Sequence, residues 1–335
     1  MKIAVDAMGG DHAPGEIIRG VLEATRQFNQ QVILVGDESL IQKEIAGYRS
    51  ELLSVVHAPE TISMRESPVA AVRRKKNSSV VKAVQLIQDG LADAVVSAGN
   101  TGAVMTAGLL LLGPVPGIDR PAIAIILPNK RGRTLLVDAG ANVDCKPFHL
   151  LQFGIMGYLY MQEILGVSQP KVGLLNIGEE ETKGNELTLA AFQLLRRVNI
   201  NFIGNVEGRE IYEGTADVVI CDGFIGNIVL KAEEGMITAL LDMAKDEIKR
   251  NPLAKLGMAM LMPTLRNFWR KLDYAEYGGA PLLGLDGIVI VCHGRSSARA
   301  ICNAIRLARE SVENKLVLAI KKCIQESLIQ KVSQL

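Results

Sequence analysis

Aromatic residues, net charge, paired cysteines and long apolar runs are all scarce in this sequence. Aromatics make up 4% of the 335 residues, which disfavours the base-stacking platforms that hold single-stranded nucleic acid. The 37 basic and 36 acidic side chains leave a net charge of +1. Only a local patch can then attract a charged partner, and no nucleic-acid partner is expected. The five cysteines, Cys145, Cys221, Cys292, Cys302 and Cys323, include no Cys-x-x-Cys pair. An odd, scattered set in a chain of this length is expected to stay reduced and mostly buried. No stretch approaches the roughly 20 apolar residues of a membrane span. The opening "MKIAVDAMGG" turns polar too soon for a secretory signal, so a cytoplasmic protein is expected.

Familiar cofactor and hydrolase motifs are missing as well. There is no Gly-x-Gly-x-x-Gly after a strand, no Gly-x-x-x-x-Gly-Lys-Ser/Thr and no Gly-x-Ser-x-Gly elbow. No His-x-x-x-His or Cys/His cluster offers zinc a ligand set. Dinucleotide, ATP, serine-hydrolase and zinc chemistry are therefore disfavoured, and neither cofactor nor metal is expected.

What is present is a core-forming composition, 48% hydrophobic and 22% charged, arranged as short apolar runs between longer helical patterns. Strands are predicted over 3–6, 32–35, 53–57, 94–97, 122–127, 135–138, 172–176, 202–206, 218–221 and 288–291. Helices are predicted over 16–28, 80–88, 148–165, 186–197 and 298–313. Val/Ile/Leu runs without alternation fit strands covered on both faces. The pattern predicts a mainly parallel, doubly wound α/β sheet, a three-layer sandwich, as one domain over 1–335. A helical hairpin excursion is expected at about 228–275, where long helical periodicity replaces strands. "ADAVVSAGNTGAV" (92–104) and "ADVVICDGFIGNIV" (216–229) echo each other, as an old duplication or as one βα geometry used twice.

Ligands of such sheets bind at the carboxyl ends of strands. The glycine-rich words "MGGDH", "SAGNTG", "DAGANVD", "NIGEEETKGNE", "GNVEGR", "CDGFIGN" and "CHGRSS" all follow strands, which suggests one shared cleft. Gly99, Asn100, Thr101 and Gly102 sit where a strand turns into a helix, suited to an anion on backbone N–H groups. Capping of that helix by Asn100 or Thr101 is the competing role. Lys183, Asn185 and Glu186 precede another helix, with Lys183 a point charge for phosphate and Asn185 an amide donor. Asn227 lies similarly in "CDGFIGN". Asp6, Asp11 and His12 read as loop braces, or as an acid/base or metal group. Cys145 has no visible base nearby to make it an acyl-carrying nucleophile. Arg73, Arg74, Lys75 and Lys76 form a basic run, either a solvated face or a dock for an acidic partner.

These words, with "VDAMGGDHAP", "RRKKNSS", "GIDRPA" and "YGGAPLLGL", resemble the bacterial phosphate acyltransferases of the PlsX family from Met1 to about Ala308. The resemblance implies an isopropylmalate dehydrogenase-like α/β/α fold, used as a homodimer. It implies transfer of a fatty acyl group from acyl-(acyl carrier protein) to inorganic phosphate. The acyl phosphate then feeds a membrane glycerol-3-phosphate acyltransferase in phospholipid synthesis. Phosphate itself can attack the thioester, so the enzyme need only position an anion and stabilise an oxyanion.

On that reading Lys183 carries charge for phosphate or oxyanion, Asn185 and Asn227 donate to the oxyanion, and His12 carries a proton. Gly9, Gly10, Asp11, Ser97, Gly99, Asn100, Thr101, Gly102, Asn142, Asp144, Gly178 and Gly226 line the substrate site. Two basic sets are candidates for the acidic carrier: Arg73–Lys76, and Arg266, Arg270 and Lys271. The segment 253–272 reads as a helix contact completing core or dimer, or as an element touching the inner face of the cell membrane. Leu256, Met260, Arg266, Trp269 and Arg270 are its expected contacts. The rival functions are a short-chain enzyme acting on coenzyme A thioesters, a decarboxylating dehydrogenase of related fold, and a membrane-associated scaffold of lipid synthesis.

Overall fold

The computed structural model describes residues 1–45, 47–250, 254, 257–258, 260–262 and 276–332. The chain begins with β1 (Lys2–Asp6), α1 (Gly15–Phe28), β2 (Gln31–Gly36), α2 (Glu38–Ile45) and β3 (Leu53–His57). Next come α3 (Pro68–Arg74), α4 (Ser79–Gln88), β4 (Ala94–Ser97), α5 (Thr101–Leu111), β5 (Ala122–Asn129) and β6 (Gly132–Val137). The middle holds α6 (Pro147–Glu163), β7 (Val172–Leu175), α7 (Glu186–Leu195), β8 (Phe202–Val206), α8 (Gly208–Glu213) and β9 (Val218–Ile220). The chain continues with α9 (Gly223–Arg250), β10 (Ala280–Leu283), β11 (Ile288–Val291), α10 (Ala298–Glu313) and α11 (Leu316–Val332).

All the strands join one sheet, in the order β3-β2-β1-β4-β11-β10-β5-β6-β9-β7-β8. The central strands β1, β4, β9 and β11 are buried on both faces, which is why they read as unbroken apolar runs. One apolar layer carries α1, α2, α6, α7, α10 and α11, with Tyr160 and Phe153 of α6 among its largest fully buried side chains. The opposite layer is formed by α3, α4 and α5 over the first half of the sheet, and by α8 and α9 over the second. This is the expected three-layer α/β sandwich.

The sheet departs from the parallel expectation at its centre. The sequence reading omits β10, which pairs antiparallel with both β11 and β5. β5 and β6 form an antiparallel hairpin through Lys130 and Arg131. Direction therefore reverses across the sheet. β1, β4 and β11 run one way, while β6, β7, β8 and β9 run the other. The loops expected to share one cleft thus divide into two groups at opposite sheet edges. α5, 11 residues or about 16 Å long at 1.5 Å per residue, starts at the first edge. The 113–121 segment that follows it reaches the second edge, where Val115 N–H meets the Gly284 carbonyl.

Candidate active site

The first group surrounds Asp6, a buried carboxylate at the end of β1. Ser97 Oγ donates to its Oδ2 at 2.7 Å and Met8 N–H to its Oδ1 at 3.2 Å. Burial pushes this carboxyl up from its ordinary pKa, against the pull of hydrogen bonds from Ser79 and Ser97. A Cβ on Gly9 would stand 2.6 Å from Asp6 Oδ2 and 2.6 Å from the Gly99 nitrogen, so the two turns pack backbone to backbone. Gly10 adopts φ +106°, and Asp11 N–H donates to the Gly294 carbonyl after β11 at 2.7 Å. Asp11, His12 and Thr101 are exposed.

Asn100 has its capping role here. Its Oδ1 accepts Ala103 N–H at 3.1 Å, and its Nδ2 donates to the Ser63, Met64 and Glu66 carbonyls. Its side chain is spent on structure, as are those of Asp6 and Ser97. Gly102 serves helix contact, since a Cβ there would lie 2.6 Å from Pro68 Cγ.

The basic run beside this group is partly neutralised. Lys75 Nζ lies 2.8 Å from Glu66 Oε1 and donates to the Thr61 carbonyl, and Arg74 reaches Glu66 Oε2 at 3.2 Å. The Lys75 hydrogen bond leads in holding the Glu66 carboxyl down at about 2. Arg73 and Lys76 are exposed and without an ion pair among the described residues.

The second group surrounds another buried strand-end aspartate, Asp138. Its Oδ1 accepts N–H bonds from Ile123, Gly140 and Ala141, and its Oδ2 accepts from Asn142 N and Nδ2 at 2.7 and 2.8 Å. Asn142 Nδ2 also donates to the Pro121 carbonyl at 2.8 Å, so Asn142 braces loops. Gly223 N–H donates to the Asn142 carbonyl at 2.7 Å. A Cβ on Gly226 would run into the Asp138 carbonyl oxygen, and Asn227 lies against Gly140. The two echoing segments thus occupy matching positions, β4 beside β1 and Asp6, β9 beside β6 and Asp138. Asp144 and Asn227 are exposed.

Lys183 and Asn185 belong to this edge, in the loop after β7. Asn176 Nδ2 donates to the Lys183 carbonyl at 3.0 Å. The Lys183 side chain is exposed and its ammonium has no ion pair among the described residues. Asn185 caps α7, its Oδ1 accepting Thr188 N–H at 2.9 Å while Thr188 Oγ1 accepts Asn185 N–H at 3.0 Å. Gly178 is tight against its own loop, with Lys183 Cγ 3.0 Å from a Cβ placed there.

Cys145 is half-buried, and its S–H donates to the Asn142 carbonyl at 3.5 Å. Burial, then the Asp138 charge, pushes this thiol up to about 11. His149 is not its base: Nδ1 accepts Lys146 N–H at 3.1 Å and Nε2 faces Asp119 Oδ2 at 3.7 Å. No sequence motif gives Asp138, Arg120, His149 or Gln152 a role. The available signal was His149 and Gln152 three residues apart within the otherwise apolar "PFHLLQFGIMGYLYM". Among the described residues no helix is long and apolar enough to cross a membrane, and no His/Cys/Asp/Glu group could hold a metal ion. Leu256, Arg266, Trp269, Arg270 and Lys271 lie outside the described residues, while Met260 is described and exposed.

A family model described as "Fatty acid synthesis protein" matches residues 1–318. A phosphate acyltransferase of Pelotomaculum thermopropionicum is 60% identical over 326 residues, covering 97% of this chain and 95% of that relative. The chain belongs to the phosphate acyltransferase family. A further phosphate acyltransferase, from Aquifex aeolicus, is 50% identical across 98% of this chain and 99% of its own. The protein is accordingly an acyltransferase, with phosphate as the acceptor. Its fold is shared with a Streptococcus pyogenes phosphotransacetylase, TM-score 0.64 at 17% identity, covering 93% of this chain and 94% of that one. A Klebsiella pneumoniae 4-hydroxythreonine-4-phosphate dehydrogenase has the same fold at TM-score 0.52 and 14% identity, covering 93% and 99%.

Proposed function

We propose that this phosphate acyltransferase moves a fatty acyl group from acyl-(acyl carrier protein) to inorganic phosphate at the second loop group. A phosphate oxygen attacks the thioester carbon, the tetrahedral oxyanion collapses, the C–S bond breaks, and the carrier thiolate leaves to take a proton. The products are acyl phosphate and free carrier protein.

The observation that carries a long acyl chain is an apolar strip at the rim of this group. Val143 is 60% exposed, Phe224 55%, Ile225 40% and Ile228 49%. Gly223, which seats α9 on the Asn142 carbonyl, brings these side chains beside Asn227. A fatty chain gains about 0.8 kcal/mol for each methylene it buries there, and an acetyl group gains almost none. Direct attack suits a site whose thiol is neutral and baseless. Lys183 supplies charge and Asn227 oxyanion donation; Asn185 retains only its Nδ2 for that work. His12 and the Gly99–Gly102 turn, at the other edge, take no part in this assignment. The acidic carrier docks instead beside that turn, on Arg73 and Lys76.

The acyl phosphate serves a membrane glycerol-3-phosphate acyltransferase on the way to phosphatidic acid. A homodimer would cover Met236, Leu240 and Met243, exposed on one face of α9. The test mixes protein, inorganic phosphate and either palmitoyl carrier protein or acetyl coenzyme A, with acyl phosphate detected by mass spectrometry. Phe224→Asp/Ile228→Asp should lose palmitoyl transfer by at least about tenfold while remaining folded. Faster acetyl than palmitoyl transfer by the wild type would favour the short-chain rival and end the fatty-acyl reading.

A further inference from the structure

Three buried polar side chains converge on one short stretch, 117–121, and hold it from both ends. Gln152, 1% exposed, donates from Nε2 to the Gly117 carbonyl at 2.6 Å and accepts Asp119 N–H on Oε1 at 3.0 Å. His149, one turn earlier on α6 and also buried, faces the Asp119 carboxylate with Nε2. On the other side, Asn142 Nδ2 holds the Pro121 carbonyl. Burying such groups is costly unless their bonds are made, and here those bonds go to a loop instead of the core.

The residue between the two pinned neighbours is Arg120. It is exposed, and its guanidinium makes no hydrogen bond or ion pair among the described residues. It lies within electrostatic reach of Cys145 and His149, at the edge that carries Asn227 and the apolar strip. A planar guanidinium with unspent donors matches phosphate oxygens bidentately, which a lysine cannot do.

We propose that Arg120 binds the reacting phosphate, and that Gln152 and Asn142, which hold the backbone on either side of it, and His149, which faces the Asp119 carboxylate, are positioning residues. This assignment rests on the acyl-transfer reading and adds to it a guanidinium, carried on a held loop, for the nucleophile. Arg120 would also draw charge from the phosphate as the acyl bond forms.

The test has two arms. In the first, inorganic phosphate is titrated calorimetrically into wild type and Arg120→Ala, without acyl donor. In the second, turnover with palmitoyl carrier protein is followed over a range of phosphate concentrations. Arg120→Ala should raise KM for phosphate about 10- to 100-fold and weaken phosphate binding alike, with KM for the carrier substrate unchanged. Arg120→Lys should recover only part. Gln152→Leu should raise the phosphate KM in the same direction, and Arg120→Ala/Gln152→Leu should be no worse than Arg120→Ala. Wild-type phosphate KM and binding in Arg120→Ala would overturn the proposal. Additive losses in the double variant would overturn the positioning role. A wild type that binds phosphate through Arg120 yet makes no acyl phosphate would defeat the reaction reading and leave the anion site standing.

Discussion

The same substitution at two points of α9 should have opposite signs. Gly235 faces open space: nothing lies within 4 Å of a Cβ built there. Alanine at such a helical position removes glycine's extra chain entropy and stabilises by about 0.5–1 kcal/mol. Gly226, nine positions earlier, meets the backbone of the Asp138 loop. Its Cβ would collide with the Asp138 carbonyl oxygen and stand 2.9 Å from the carbonyl carbon. Backbone cannot rotate away as a side chain can, so the first turn of α9 must lift off the loop. Overpacking of this kind costs about 1–3 kcal/mol, which outweighs the helical gain. An unfolding entropy of about 2.1 cal/mol/K per residue gives about 0.7 kcal/mol/K for this chain. Gly235→Ala should then raise Tm by about 1 °C and leave turnover alone. Gly226→Ala should lower Tm by about 1–3 °C and abolish most turnover, because Asn227 moves with the turn. Scanning calorimetry and the acyl phosphate assay read both. A Gly226→Ala enzyme as stable and active as Gly235→Ala would refute the steric argument. A destabilised Gly235→Ala would refute the open-space argument, since another surface must then cover that turn.

Cys145→Ala should keep near-normal turnover, because a thiol held at about 11 is roughly one part in 10⁴ thiolate at neutral pH; an inactive variant, with an acyl group trapped on wild-type Cys145, would overturn direct attack. Arg73→Glu/Lys76→Glu should raise KM for carrier substrate several-fold and flatten its salt dependence, and a salt-insensitive KM in the wild type would count against electrostatic docking. The wild type should bind anionic vesicles reversibly, and Leu256→Glu/Met260→Glu should stop flotation while dimer and turnover persist. Absence of flotation, or a variant that falls into monomers by light scattering, would end the membrane reading.

The strands that the sequence announces most clearly are those buried on both faces, such as "AVVS" in β4 and "IVIV" in β11. β10 is four residues with Pro281 inside and glycines before it, and local propensity gives it no claim to be a strand. Its place is decided by its hairpin pairing with β11 and by β5, which approaches from a distant part of the chain. The reversal of direction depends on that pairing, so the division of the loops into two edges was illegible too. The helix caps were half legible. Asn100 and Asn185 occupy positions where a cap and a ligand donor look alike in sequence, and only the bond partners separate them. Arg120 stayed hidden because its supports, Gln152 and Asn142, come from other segments.

β11 lies between β4 and β10, and α10 packs on α1. During synthesis the edge of β4 must therefore wait for a partner that follows it by about 190 residues. At about 5–20 residues per second the ribosome needs roughly 10–40 s to deliver that strand. For that interval the nascent chain carries an apolar, unpaired strand edge of the kind that recruits other chains. A chain that stops short of Ile288 never closes it, so early termination should yield aggregate instead of a smaller folded protein.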